Sequence, residues 1–261
     1  MLNPEETSSS ANYRTLMHDT ANCSNYKILI LMYHELVTGR PSDIYKRNIA
    51  DFENDLKYIQ SKHYEVISFD DLIKLQTGTK KLHSNAVIIS FDDGYASDYN
   101  LAYPKLKIHE MPATFFIVTE WVGDSNRISW ADAYTMSQYS NEKGSKLFSI
   151  ESHTSSHPFL AKDSIQFANH TAYQASLDDE FYDSKTWIQS STGQNSMWMA
   201  LPYGDGANNA QIITTAKKFG YTGIRTSIYG SFTLKSMNLN ALPSLPILST
   251  TQISDMDLYL N

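Results

Sequence analysis

Two adjacent carboxylates follow directly after an apolar stretch of the chain. Asp92, Asp93 and Gly94 come after residues 86–91, a short apolar run that is typical of a buried strand. Adjacent side chains on an extended chain point to opposite sides, so the two carboxylates could act separately, one as a metal ligand and one as a general base. The alternative is a strand-to-helix junction in which an aspartate caps the helix.

Two histidines four residues apart form the second chemical feature. His153 and His157, in the segment HTSSH, follow the predicted strand 148–152. Their imidazoles could converge on one ion if the segment turns. Together with Asp93 they would leave coordination positions for water and substrate, as hydrolytic metal sites do. The chain contains 8 histidines, so an unrelated surface pair is the alternative.

A tight turn forms the third feature. Residues 200–204 read ALPYG, and Pro202, Tyr203 and Gly204 follow the end of a predicted strand. A turn of this kind can direct backbone N–H groups at a developing oxyanion. By itself the segment has little specificity, and an ordinary turn is the simpler interpretation.

Taken in order, these motifs resemble the polysaccharide deacetylases of the NodB-homology class, carbohydrate esterase family 4. SFDDG, HTSSH and LPYG are similar to the family motifs TFDDG, HSxxH and RxPYG, and the resemblance runs from about Lys27 to the end of the chain. The segments LMYH (31–34), FENDLKYIQSKHYEVISFDDL and FTL (232–234) resemble the branch that includes biofilm poly-N-acetylglucosamine deacetylases. The resemblance implies a distorted (β/α) barrel with a metal in an open groove.

The resemblance also implies a role for each matching residue. Asp93, His153 and His157 would hold a divalent metal ion, zinc by preference, with cobalt or nickel as alternatives. Asp92 would be the general base that activates a water molecule. The backbone N–H of Tyr203 would stabilise the oxyanion while an N-acetyl group is hydrolysed to acetate and an amine. This chemistry suits an amide, because a poor electrophile needs a Lewis acid for hydrolysis near neutral pH.

The sequence departs from the family pattern in two places. Ala200 stands where the third motif begins with an arginine that orients the base. No histidine follows His170, so the late Leu-x-His motif that supplies a general acid is missing. His34, directly after the first strand, is the nearest candidate for an additional active-site role, and Asp132 could support the site. We expect substrate contacts from Pro202, Tyr203, Trp130 and His34.

The elements that position these residues alternate between strand-length apolar runs and longer segments with helical periodicity. This alternation predicts an α/β fold, a single-domain distorted (β/α) barrel of about seven strands, with the chemical groups at the carboxyl ends of the strands. Residues 242–246 contain two prolines and are predicted not to form a central strand. Strands are predicted at 27–33, 66–69, 86–91, 113–118, 148–152, 197–201, 223–226 and 231–234. Helices are predicted around 49–59, 97–108, 164–190 and 207–219, and a further helix runs through Leu72 and Leu75 and stops at Gly78.

Composition and charge narrow the possible functions. The chain has 261 residues, 41% of them hydrophobic, and a formal net charge of −7 without a basic run, which argues against a nucleic-acid partner. The single cysteine, Cys23, excludes an internal disulfide and any site with several thiolates. No apolar run reaches the roughly 18 residues that a membrane span needs.

The two ends of the chain have different predicted roles. Residues 1–26 are polar and are expected to form a mobile arm without the pattern of a signal peptide, whereas 27–261 form the catalytic domain. The resemblance implies a monomer that acts on a carbohydrate polymer or oligomer at an extracellular or cell-surface location. Two alternatives remain open: deacetylation of peptidoglycan, xylan or another amide or ester, and a carbohydrate-binding module with little catalysis.

Overall fold

A curled parallel β-sheet surrounded by helices makes up the part of the protein that this computed structural model describes, residues 25–261. The strands are β1 (Ile28–Tyr33), β2 (Glu35–Val37), β3 (Lys46–Asn48), β4 (Glu65–Val66), β5 (Ala86–Asp92), β6 (Ala113–Ile117), β7 (Phe148–Ser152), β8 (Trp198–Ala200), β9 (Gly223–Arg225) and β10 (Leu245–Pro246). The helices are α1 (Ile49–Ser61), α2 (Phe69–Gln76), α3 (Tyr103–Ile108), α4 (Trp130–Gln138), α5 (His170–Thr192), α6 (Ala210–Lys218) and α7 (Asp257–Leu260).

The main sheet has the strand order β10-β1-β5-β6-β7-β8-β9, and β4 pairs with the start of β5. All of these pairings are parallel. The carboxyl ends of the strands therefore meet at one edge of the sheet, where α/β barrels place their active sites. The fold is the predicted single-domain distorted (β/α) barrel.

The proline-containing segment near residue 245 connects the two ends of this sheet. Leu245 pairs with Leu31 of β1, and Leu242 bridges to Arg225 of β9. Leu242 also donates to the carbonyl of Ile224 at 2.9 Å. The sequence predicted no central strand here, and the structure adds that this short segment nevertheless closes the barrel.

Both faces of the sheet are buried, as expected for a parallel sheet covered by helices. Leu29 and Leu31 belong to a cluster that includes apolar residues of α1, α3 and α4. Ile28 and Ile30, which alternate with them along β1, pack in a second cluster with α2. The same alternation of side chains applies to the functional groups, because Asp92 is the last residue of β5 and Asp93 follows it directly.

Several predicted boundaries need correction. Residues 231–234 do not form a strand, and only an antiparallel bridge joins Phe232 to Ile28. The helix expected from about residue 164 begins at His170, whose preceding residue Asn169 caps it through a bond to the N–H of Ala172. The start of the predicted helix instead belongs to a separate 3-10 turn, Lys162–Gln166.

Two further predictions concern the chain ends and membranes. The predicted arm, residues 1–26, lies almost entirely outside the described residues, and so does Cys23. Within residues 25–261, no helix combines the length and the apolar character that a membrane crossing requires.

Candidate active site

A cavity of about 640 Å³ opens at the carboxyl ends of the strands. The two neighbouring carboxylates Asp92 and Asp93 line it, together with both histidines of the HTSSH segment and Tyr203. Residues that are separated by more than 100 positions in the sequence therefore share one space. The three chemical features of the sequence meet there because each follows a strand of the same parallel sheet.

Asp93, His153 and His157 converge on a single point. Asp93 Oδ1 lies 3.4 Å from the Nε2 atoms of both histidines. The two Nε2 atoms are 3.2 Å apart. Among residues 25–261, these three form the one group of His, Cys, Asp or Glu whose donor atoms are arranged to hold a metal ion.

The orientation of the histidines fits a cation at this point. His153 Nδ1 lies 2.9 Å from the carbonyl oxygen of Ala200 and donates its hydrogen to it, which directs Nε2 of the same ring at the cluster. Burial lowers the pKa of His157 to about 4, so its ring is neutral near pH 7. One ring nitrogen from each histidine and a carboxylate at such short range make a suitable donor set for a divalent transition metal.

The carboxylate of Asp93 is held in its ionised form. Burial alone would raise its pKa, but the hydrogen bond and charge of His153 hold the pKa well below the usual range. Arg127 donates from Nη1 to the Asp93 carbonyl at 3.1 Å and fixes the backbone of this residue. The guanidinium of Arg127 is itself packed 4.0 Å from the ring centre of Tyr95 and 4.5 Å from that of Trp121.

Backbone strain concentrates at the same site. Asp93, Thr154, His157 and Tyr203 have positive φ angles of 73°, 68°, 66° and 59°. Non-glycine residues seldom adopt this region, and such conformations persist where the surroundings enforce them. The segment between the histidines is enforced by Glu180 of α5, whose Oε2 accepts hydrogen bonds of 2.9 Å from two consecutive N–H groups, those of Ser155 and Ser156.

Asp92 lies beside the three candidate ligands but has a different partner. Its Oδ2 is 3.9 Å from His153 Nε2, and the residue is 2% exposed. Arg225 of β9 donates from Nη2 to both carboxylate oxygens of Asp92. This arginine was missed by the sequence analysis, although one signal was present: a lone cation in the apolar predicted strand 223–226.

Tyr203 contributes its backbone and its ring at different places. Its ring stacks on Phe159 at 3.9 Å and lies 4.6 Å from the ring of His157. Pro202 precedes it at the first position of a 3-10 turn, Pro202–Gly204. No acceptor for the Tyr203 N–H is found among residues 25–261, so this donor is available to a ligand.

The structure brings His34 to the cavity as well. Burial lowers the pKa of His34, and its Nδ1 has no hydrogen-bond partner within the described part of the chain. The ring lies 5.1 Å from that of Tyr45, which is half exposed at the cavity rim. Tyr229, which is 60% exposed, lines the same rim. Neither tyrosine is predicted as a site residue from the sequence, because a single tyrosine in a loop has no distinguishing pattern.

Trp130 and Asp132 are not brought to the cavity. Trp130 is the first residue of α4, packs partly against the core and stacks on Trp187 at 6.4 Å. The Asp132 side chain accepts from the N–H of Ser129 at 2.9 Å and so forms a capping box at the start of the helix. The structure therefore gives these two residues local packing and capping contacts and does not support the expected substrate contact of Trp130.

Comparison with known proteins gives a consistent family. The sequence model described as polysaccharide deacetylase matches residues 79–224. YxkH of Bacillus subtilis, which is named for this family, is 29% identical over 195 residues that cover 75% of this chain and 62% of that protein. A poly-β-1,6-N-acetyl-D-glucosamine N-deacetylase of Staphylococcus aureus is 25% identical over 160 residues, 61% of this chain and 54% of that protein.

A solved structure is similar over most of the described fold. The Streptococcus pyogenes deacetylase PplD, in complex with acetate, has a TM-score of 0.76 and 23% identity, and the match covers 90% of this chain and 98% of that one. This similarity concerns the fold alone. The chain spans less than two thirds of the length of the two curated relatives that it matches.

Proposed function

Because the chain belongs to the polysaccharide deacetylase family, we propose that it is a metal-dependent hydrolase that removes N-acetyl groups from a β-linked N-acetylglucosamine polysaccharide or oligosaccharide and releases acetate. One observation carries the proposal: Asp93, His153 and His157 converge in a cavity beside a buried second carboxylate. A protein that only binds sugars has no need of this combination.

Asp93, His153 and His157 would hold the metal, most simply zinc. A divalent ion at this place would polarise the amide carbonyl and lower the pKa of a nearby water molecule. The Ala200 carbonyl fixes the orientation of the His153 ring, and the lowered pKa of Asp93 keeps its carboxylate ionised. Cobalt and nickel are compatible with the same donors.

Asp92 is the proposed base. Its carboxylate would take a proton from the attacking water molecule as the new C–O bond forms. The N–H of Tyr203 would donate a hydrogen bond to the oxygen that becomes negatively charged, as oxyanion-hole donors do. Breaking the C–N bond then requires a proton on the leaving amine, and protonated Asp92 can supply the one that it has just accepted. The immediate products are acetic acid and the amine, and near neutral pH the acid gives its proton to the amine, leaving acetate and an ammonium group.

His34 is proposed to contact the substrate rather than to supply this proton. The lowered pKa makes its imidazole neutral near pH 7, so it can donate or accept a hydrogen bond without carrying a positive charge. Tyr45 and Tyr229 offer half-exposed ring faces at the rim, and aromatic faces with a polar tip suit sugar rings. We propose that they support neighbouring sugars of the chain.

Acetate release from N-acetylglucosamine oligomers tests this function. Metal-stripped protein should be inactive and should regain activity with zinc, cobalt or nickel. The Asp92→Asn variant should lose about 100-fold to 10,000-fold in kcat, the usual contribution of a general base. Asp183→Asn, at an exposed position of α5, is the matched control and should be unchanged. Activity that resists chelation, or that survives in Asp92→Asn, would refute the mechanism.

The substrate is tested with a panel. Peptidoglycan, acetylated xylan and small acylated compounds should give a lower kcat/KM than N-acetylglucosamine oligomers. A higher value for any of them would assign the same site to that substrate. Sugar binding without turnover under any metal would identify a binding module instead.

We further propose an extracellular or cell-surface location, because a polymeric glycan is encountered there. Among the matched relatives, the Staphylococcus aureus enzyme is named for such a polymer. Cell fractionation of the producing organism tests this location, and recovery in the cytoplasm alone would contradict it.

A further inference from the structure

The buried Asp92 carboxylate depends on one cation. Asp92 is 2% exposed and Arg225 is 0% exposed, so neither charge is solvated by bulk water. A buried ion without a partner is strongly disfavoured. Arg225 Nη2 donates to both oxygens of Asp92, and Arg225 Nη1 donates to Met32 Sδ at 2.6 Å. The Nε atom has no partner among the described residues, so Asp92 is the one charged partner that the hydrogen bonds of the guanidinium reach in this part of the chain.

The origin of this arginine follows from the register of the sheet. Arg225 of β9 is the direct neighbour of Ala200 of β8. Side chains at paired positions of parallel strands point to the same face. Ala200 has only a methyl side chain, and the guanidinium of Arg225 lies 5.3 Å from the ring centre of Phe116 and reaches Asp92. The positive charge beside Asp92 therefore comes from position 225, which is the direct neighbour of position 200 on the adjacent strand.

Strands β8 and β9 each orient one side chain of the site. The Ala200 carbonyl of β8 fixes the orientation of His153. The Arg225 side chain of β9 fixes the orientation of Asp92. A base whose two oxygens are both held cannot rotate, and misplacing a reacting group by about 1 Å can reduce a rate by roughly 100-fold.

We infer that Arg225 is the positioning residue for Asp92, and that positions 200 and 225 form a coupled pair in which one arginine, on either strand, is sufficient. This inference rests on the proposed function. It differs from the expectation drawn from the motif pattern, in which the absence of an arginine at position 200 leaves the base unsupported. Arg225 touches neither substrate nor metal and acts only through Asp92.

A set of variants in the full chain tests the inference. Arg225→Ala should lower kcat by about 100-fold with KM changed less than threefold, because the base is misoriented while the groove is intact. Arg225→Lys keeps the charge but lacks the planar fork, so it should recover only part of kcat. Ala200→Arg combined with Arg225→Ala should recover at least tenfold over Arg225→Ala alone. Arg40→Ala, at an exposed position, is the matched control.

Two further measurements separate positioning from simple stabilisation. Zinc content should be the same in Arg225→Ala and wild type, since none of the three candidate ligands is altered. In metal-free protein, Arg225→Met should lower the melting temperature, and adding Asp92→Asn should recover part of the loss because the unpaired charge is removed. This thermal cycle does not depend on any activity, and Arg225→Lys provides the kinetic comparison if the neutral variants fold poorly.

The outcomes are distinct. If wild type releases no acetate from any acetylated substrate, the proposed function fails. A melting-temperature coupling between Arg225 and Asp92 would then show only a structural contact between these two residues. If wild type is active but Arg225→Ala keeps kcat within threefold, the positioning role alone is refuted. The coupling between the two strands is refuted if Ala200→Arg brings no recovery in the Arg225→Ala background.

Discussion

At the scale of single residues, the site combines strain with buried charge. Three of its candidate working residues, Asp93, His157 and Tyr203, have positive φ angles. Each is followed or preceded by hydrogen bonds that hold the backbone, such as the 3.1 Å bond from the His157 N–H to Thr154 Oγ1. Since strained positions tend to cluster where function demands a particular geometry, the backbone conformations support the same site as the side-chain chemistry.

Asp98 carries a titratable group that the mechanism does not use. It is fully buried, and neither carboxyl oxygen has a hydrogen-bond partner among residues 25–261. Burial raises its pKa well above the ordinary value, and the charge of Asp93 raises it further, while Arg127 lowers it. The carboxyl is therefore protonated in the folded protein over a range in which it is ionised in the unfolded chain.

The raised pKa of Asp98 determines the direction in which the stability of the fold changes with pH. The folded state binds the extra proton, so its stability falls as the pH rises from the unfolded pKa, about 3.9, towards the raised folded pKa. We expect Asp98→Asn to remove this slope, which amounts to at most about 1.4 kcal/mol per pH unit. Urea unfolding of metal-free protein between pH 5 and pH 8 measures it. An unchanged slope in Asp98→Asn, judged against the exposed control Asp124→Asn, would contradict the assignment.

At the scale of elements, one strand end and one helix hold the segment that carries the two candidate histidine ligands. The HTSSH segment leaves β7 and is fastened from outside by Glu180, in the middle of α5. The Glu180 carboxylate accepts from successive N–H groups of Ser155 and Ser156 and thereby supports the turn that brings the two histidines together. This arrangement explains why two imidazoles four residues apart converge at the end of a strand.

Removing that support should weaken metal binding. We expect Glu180→Ala to lower zinc affinity by about tenfold, the low end of what outer partners of metal ligands contribute. Competition with a chromophoric chelator measures the affinity. Asp179→Ala, the exposed neighbour on the same helix, should bind zinc like wild type. Equal affinity in Glu180→Ala would mean that the turn is held without this carboxylate.

At the scale of the whole molecule, the sequence predicted what depends on local pattern and family motifs. The strands around residues 30, 89 and 115 were predicted closely, because a buried parallel strand is a continuous apolar run. The three candidate ligands converge as the motifs predicted. A lone cation in the predicted strand 223–226 marks Arg225 as unusual, but its pairing with Asp92 could not be predicted. The two residues meet through the lateral register of the strands, which leaves no spacing signal between residues that are 133 positions apart.

The segment that closes the barrel could not be predicted from the sequence for a similar reason. Residues 242–246 have two prolines, so their pattern does not resemble a strand, yet Leu242 and Leu245 contact β9 and β1 respectively. Proline is tolerated because the paired stretch is very short and its bonds can come from neighbouring residues, such as the 2.8 Å bond from the Thr226 N–H to the Leu242 carbonyl. Local propensity is here outweighed by the tertiary contacts that join the two ends of one sheet.

Leu242 should therefore matter to the stability of the whole fold. It is 0% exposed and pairs with the strand that carries Arg225. We expect Leu242→Ala to lower the free energy of unfolding by about 2–5 kcal/mol, as large-to-small substitutions in a packed core do. Leu258→Ala, at a position that is 80% exposed, should stay within about 0.5 kcal/mol of wild type. Urea unfolding followed by circular dichroism measures both, and equal midpoints for the two variants would show that this segment does not hold the barrel closed.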